Sequence, residues 1–430
     1  MVAASGAGGY HALMFARRWP SLQYYEAIAE RTSGMNLAER LPTGAAPRAA
    51  ARMAGIEPFH VMQIIARAKA LEAQGRSIVN MVVGEPDFPV APLVRDAGLR
   101  VLETGHLHYT PALGITLLRD AISGWYRARY GVEVPSSRIA VTTGSSGALL
   151  LTMGVLLDPG DEVLLADPGY PCNRHFVRTM DGAPVGVAVG PSTSYQLSAE
   201  LIERHWTPRT KAVLVCSPSN PTGTLIAPEA LREIHKVVRA RGGVLISDEI
   251  YHGLTYGPEA PTALALGDDV FVINSFSKYF GMTGFRLGWL VAPERFMVDV
   301  DKLVGNLFIS APDIAQQAAL AAFYPETVTM LDQRRDLYRA QRDFLLPALK
   351  GLGFEIPVVP EGAFYIYANC RRFTDDTYAF CWDVLEKAGV AITPGLDFGN
   401  NDPRHHVRFS YPKPIPMLAE GVRRLHEYLA

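Results

Sequence analysis

The sequence has 430 residues, 48% hydrophobic and 20% charged, with a formal net charge of −2. That is chain enough for a large domain with a substantial core and a smaller companion, and the balanced charge excludes a global attraction to nucleic acid or anionic membrane. No run approaches the roughly 18 apolar residues of a membrane span, and the four cysteines, Cys172, Cys216, Cys370 and Cys381, are too scattered for a metal site or disulfide framework and suit a reducing cytoplasm.

Residues 1–52 are rich in Ala, Gly and Arg, carry the Arg17-Arg18 pair with few acids before Glu26, and lack the apolar core of a signal peptide, so they read as a flexible extension. Residues 58–74 repeat apolar side chains at helical spacing up to Gly75. Residues 78–83 read as a buried strand stopping at Gly84-Glu85-Pro86-Asp87. Beyond it, short Val/Ile/Leu runs at 139–143, 162–166, 212–216, 244–247 and 270–274 alternate with amphipathic segments such as 146–157 and 228–241. Runs apolar on both faces and joined through helices imply an α/β fold with a mostly parallel sheet covered on both sides.

From about Thr327 the pattern changes to a long polar helix containing Arg334, Arg335, Arg339 and Arg342, followed by short strands at 364–368 and 406–410 and a closing helix at 416–429. The expected organisation is an extension (1–52), a segment contributing to a small domain (53–90), a large domain (91–326) and a small C-terminal domain (327–430), with a cleft between the last two. Ligands of such sheets sit at the carboxyl ends of the strands. Chemistry is therefore expected in the loops that follow the apolar runs.

Lys278, in Ser275-Phe276-Ser277-Lys278, follows directly on the run 270–274. A lysine can form an imine with an aldehyde cofactor and, with a lowered pKa, act as a base. Taken alone it is an ordinary surface lysine. Its company changes that reading, for the run 244–247 ends in Asp248 and is followed by Tyr251. A pyridoxal 5′-phosphate (PLP) ring needs a carboxylate to keep its pyridine nitrogen protonated, which Asp248 is placed to supply, and a donor for its phenolic oxygen, which Tyr251 supplies. The loop 217–223 after the run 212–216 offers the Asn220 amide to the same oxygen, although its plain reading is a Pro/Gly turn. For the phosphate, Thr143-Gly144-Ser145-Ser146-Gly147 lies between a strand and a helix, where free N–H groups meet the positive end of the helix dipole, and Arg286 adds a charge with bidentate geometry.

Together these segments resemble the class I/II aminotransferases, PLP enzymes of fold type I, from about Met53 to Ala430. Asn-Pro-Thr-Gly at 220–223, Asp-Glu-Ile-Tyr at 248–251, Ser-Phe-Ser-Lys at 275–278 and Gly-Phe-Arg-Leu-Gly at 284–288 occur in the family's order. The resemblance implies a seven-stranded, mostly parallel sheet and a PLP cofactor. It implies Lys278 as the Schiff-base lysine and proton shuttle, Asp248 on the ring nitrogen, Asn220 and Tyr251 on the phenolic oxygen, and Tyr170 stacked on the ring. Ser145, Ser146, Gly147, Ser275 and Arg286 fall at the phosphate. Tyr109 matches the tyrosine that reaches a neighbouring subunit's phosphate, implying a homodimer with shared sites. Arg408 resembles the clamp on the substrate carboxylate, and Gly84 the segment that closes over substrate.

The expected reaction is ping-pong transfer of an amino group from an amino acid to a 2-oxo acid, with small neutral or aromatic substrates preferred because no second arginine can be assigned from spacing. Tyr25, Phe88, Tyr170, Phe308 and Phe364 are candidates for an apolar side-chain pocket. The same scaffold hosts C–S β-lyases and cyclopropane-forming synthases. A PLP-binding regulator without turnover would need a DNA-binding domain ahead of the aminotransferase-like part, for which residues 1–52 are too few and too unpatterned.

Overall fold

Apolar runs with no polar face need cover on both sides, and in the computed structural model all five enter one sheet, the run at 139–142 at its edge and the other four inside it. The structure describes residues 48–430. Arg17, Arg18, Glu26, Tyr25 and most of the 1–52 extension lie outside the described residues. Arg52–Ala430 pack as one unit.

In chain order the strands are β1 (Val79–Asn80), β2 (Ile139–Thr142), β3 (Glu162–Asp167), β4 (Ala183–Ala188), β5 (Thr210–Cys216), β6 (Val244–Asp248), β7 (Phe271–Ser275), β8 (Gly288–Val291), β9 (Tyr365–Asn369), β10 (Val390–Ala391), β11 (Thr393–Pro394) and β12 (His406–Ser410). One sheet runs β2-β8-β7-β6-β5-β3-β4. Within it β8 is antiparallel to β2 and β7, and the other pairings are parallel. Every residue of β6, β7 and β8 is buried. The helix Gly144–Leu156, which buries Leu149, Leu151, Met153 and Leu156, lies against β7 and β8. Pro228–Ala240 covers β6 with Leu231, Ile234 and Val238.

A second, antiparallel sheet runs β11-β12-β9, and β1 pairs in parallel with β10. The long helix Pro325–Leu352 packs on the closing helix Ile415–Leu429. No helix among the described residues is long and apolar enough to cross a membrane.

Three elements differ from the sequence reading. The strand expected over 78–83 is regular only at Val79–Asn80, because the chain then divides its bonds between other partners. Met81 N donates to Ala391 O (2.9 Å) and Met81 O accepts from Ser410 N (2.8 Å), while Val82 O accepts from Arg408 Nη2 (2.7 Å). β4 was hidden because Pro184 and Gly186 break a strand signal. It tolerates them because it is the sheet's edge, paired only with β3. β8 was hidden because its first residue, Gly288, closes a loop motif.

Candidate active site

β5, β6 and β7 run in parallel and end close together, with Cys216 opposite Asp248 and Asp248 opposite Ile273. The loops carrying Asn220, Tyr251 and Lys278 therefore leave one edge of one sheet. Lys278 is half-buried along its stem, and its Nζ donates to Gly84 O at 2.7 Å. Burial pushes its pKa down to about 8, with Arg408 and Arg286 acting in the same direction and Glu85 and Asp248 opposing. Asp248 is buried at the end of β6. Its Oδ1 accepts one bond, from Ile250 N at 3.3 Å, and burial pushes its pKa up to about 7. The buried acid and the lysine are thus both shifted toward neutrality.

On one side of this pair lies an anion cradle. The helix Gly144–Leu156 opens on Gly144 at φ +74°, and its N-cap, Thr143, gives no side-chain cap, so the amides of its first turn keep their donors free. Ser145, Ser146 and Gly147 form that turn. Arg286, itself in the left-handed region at φ +52°, lays its guanidinium over the turn, so that a Cβ on Gly144 would lie 2.8 Å from Nη2. Gly288 is needed for the same close approach, since a Cβ there would come within 2.8 Å of Ser145 N. Ser275, buried at the end of β7, accepts from Ser277 N at 3.0 Å.

On the other side lies Arg408, buried on β12. Its Nη1 donates to Asn220 Oδ1 at 2.9 Å, and its Nη2 to Val82 O at 2.7 Å and Thr393 Oγ1 at 3.3 Å. Nε has no partner, and the bonds the group makes among the described residues all go to neutral oxygens. Its guanidinium stacks 4.5 Å from the Tyr365 ring centroid and 5.0 Å from that of Phe398. The Tyr251 hydroxyl lies 2.7 Å from that of Tyr365. Tyr170 precedes the helix Pro171–Thr179, and with Cys216, Ser219 and Asn220 it lines a cleft at the same sheet edge.

The structure therefore brings Gly84, Asn220, Asp248, Tyr251, Lys278, Arg286 and Arg408 together. Tyr109 stands apart, 82% exposed. Of the proposed pocket aromatics, Phe364 is buried with its ring 6.0 Å from Lys278 Nζ, and Phe88 packs on Tyr338. Phe308 only ends the helix Met297–Leu307, and Tyr25 lies outside the described residues. Sequence reasoning missed Tyr365. Its only signal is alternation in β9, where Tyr365 and Tyr367 share the face of Arg408.

The residues fit a pyridoxal phosphate: a donor-rich turn under an arginine for the phosphate, a buried acid with one donor for a protonated ring nitrogen, and a lysine with a lowered pKa. The sequence profile of the aminotransferase class I and II family matches residues 76–425. The chain belongs to this family. It is an aminotransferase of fold type I. It is 40% identical to valine–pyruvate aminotransferase of Mycobacterium tuberculosis, over 87% of this chain and 97% of that one. A crystal structure of an aminotransferase from Mycobacterium tuberculosis superposes with a TM-score of 0.86 at 39% identity, covering 89% of this chain and 99% of that one. Aspartate aminotransferase from Thermus thermophilus, solved with maleate, gives 0.84 at 32% identity, covering 89% of this chain and all of the other.

The depressed lysine pKa has a direct readout. Below about pH 8 Lys278 is an ammonium, and above it a free amine able to attack. In cofactor-free protein, acylation of Lys278 followed by peptide mass spectrometry should reach half its maximal rate near pH 8. A midpoint at the ordinary lysine value of 10.5 contradicts the burial argument.

Proposed function

We propose that this aminotransferase holds pyridoxal 5′-phosphate at the carboxyl edge of the seven-stranded sheet and exchanges the amino group of an amino acid with a neutral side chain, small or aromatic, against a 2-oxo acid. The observation that carries the reading is Asp248, a fully buried carboxylate with a single N–H donor, which suits a cationic ring nitrogen. In this reading residues 91–326 form the cofactor-bearing body, and 53–90 with 327–430 form the part that brings Arg408.

When bound, the cofactor supplies an electron sink for the bond to the substrate's Cα hydrogen. Lys278, as a free amine, would take the Cα proton at Nζ and return it two atoms away, on the far side of the amino nitrogen. Asp248 keeps the ring nitrogen protonated. The Asn220 Oδ1 is engaged by Arg408, so its amide N–H groups face away and donate to the phenolic oxygen together with the Tyr251 hydroxyl. Ser145, Ser146, Gly147, Ser275 and Arg286 hold the phosphate. Tyr170 covers the ring face. Arg408, a buried cation bonded only to neutral groups, takes the substrate carboxylate and so fixes which Cα bond faces Lys278. Gly84, whose carbonyl meets Lys278, lies on the segment that shields the site from water.

Neutral substrates are favoured because Glu85, on that segment, is the strongest charge acting on Lys278, so a distal carboxylate would meet one of like sign. The relative named for valine and pyruvate supports the same choice. The test is a panel of amino acids added to purified holoenzyme while its visible absorption is followed. Bleaching by valine, alanine or an aromatic amino acid, reversed by a 2-oxo acid, is expected. Bleaching by aspartate alone overturns the substrate class, and an absence of visible absorption overturns the cofactor assignment.

Arg408→Lys keeps a charge but loses the planar fork. The amino-acid KM should rise on the order of 10- to 100-fold, the value of one or two charge-assisted bonds. An unchanged KM removes Arg408 from the carboxylate site.

The enzyme acts in this reading as a homodimer. Tyr109 and the neighbouring exposed apolar residues Leu99, Leu102 and Leu107 form a surface suited to a second copy, with Tyr109 reaching the partner's phosphate. Tyr109→Ala and Lys278→Ala subunits should each be impaired alone, yet refolded together at equal amounts recover about a quarter of wild-type activity, because half the dimers then hold one intact site. No recovery argues against shared sites.

A further inference from the structure

Tyr365 is the first residue of β9 and is 1% exposed. Its backbone is fixed from both sides. Gly362 N donates to Gly223 O and Ala363 N to Leu254 O, each at 2.9 Å, and Tyr365 pairs with Ser410 on β12. Its hydroxyl lies 2.7 Å from the Tyr251 hydroxyl, and the backbone of Gly84 packs so closely on it that any Cβ at that position would overlap the phenol oxygen. The Arg408 guanidinium lies over its ring. One buried side chain therefore touches the phenolic-oxygen donor, the carboxylate clamp and the covering segment.

A phenol carries one proton. Resting on the cofactor placement above, the Tyr251 proton is committed to the cofactor's phenolic oxygen, so the proton between the two tyrosines must belong to Tyr365. Burial raises the pKa of both phenols, but at Tyr365 the Arg408 charge is the next influence and works against it, whereas at Tyr251 the next influence is Tyr365, which raises it further. Tyr365 is thus the better donor of the pair. Accepting a bond polarises the Tyr251 O–H and strengthens its own donation.

We infer that Tyr365 is a positioning residue of this enzyme, whose hydroxyl donates to Tyr251 and thereby aims and strengthens the bond Tyr251 gives the cofactor.

The test is the pH dependence of the visible absorption of purified holoenzyme in Tyr365→Phe, Tyr251→Phe and the double variant. A weaker donor leaves more negative charge on the phenolic oxygen to retain the proton of the lysine–cofactor linkage, so the midpoint moves to higher pH. Tyr365→Phe keeps the ring and its stack on Arg408. Its midpoint should rise by roughly half a unit, with the amino-acid KM changed less than about twofold. Tyr251→Phe should shift the midpoint further, and the double variant no further than Tyr251→Phe, since both act through one bond. The inference is overturned if Tyr251→Phe shifts the midpoint while Tyr365→Phe does not, or if the two shifts add. Should Tyr251→Phe itself leave the midpoint in place, the cofactor placement fails and this inference falls with it.

Discussion

Everything at the carboxyl edge of the large sheet follows from withdrawing two oppositely charged side chains from water. Desolvation disfavours the charged form of each, moving Asp248 from 3.8 to about 7 and Lys278 from 10.5 to about 8. In the folded chain Asp248 holds its proton more tightly than when unfolded, so its ionisation weakens the fold as pH rises from about 4, and the penalty is complete above about 7. For Lys278 the folded chain disfavours the ammonium, so the penalty is complete below about pH 8 and gone above about 10.5. Between pH 7 and 8 the empty fold bears both. A ligand that gives Asp248 a cationic partner and converts the Lys278 amine to a less basic nitrogen beside an anionic oxygen relieves both at once, and fold stability and ligand affinity then have one origin.

The same economy of space governs the backbone around the pair. Arg286 can lie over the helix turn at Gly144 only because neither Gly144 nor Gly288 has a Cβ, and it does so from a left-handed backbone conformation that an arginine rarely adopts. Gly84 touches the Tyr365 hydroxyl for a related reason. These glycines admit a charge or a phenol where a side chain would otherwise stand.

Much of this was legible in the sequence. Asp248 and Lys278 each close or follow an apolar run, and those two runs are the interior strands β6 and β7, whose ends carry the candidate site. What stayed hidden has physical causes. β4 carries Pro184 and Gly186, which only its place at the edge excuses, and β1 is cut short because Val82 O serves Arg408 rather than a strand. Tyr365 was passed over because its importance lies in a contact with Tyr251 across 114 positions of chain, and periodicity carries no information about contacts at that separation.

Arg408 joins the two halves of the site. Its bond to Asn220 Oδ1 decides which way the Asn220 amide faces, and its charge over the Tyr365 ring favours that phenol as donor to Tyr251. In the proposed reading, both groups aimed at the phenolic oxygen are thus oriented by the residue that takes the substrate carboxylate. A carboxylate bound there would partly neutralise the charge of Arg408, so that its pull on Tyr365 would fall and the donation passed on through Tyr251 would weaken. The cofactor's phenolic oxygen would then keep more negative charge, and the nitrogen beside it would become more basic. In that reading substrate binding and the proton affinity of the reacting centre would be coupled through three side chains, Arg408, Tyr365 and Tyr251.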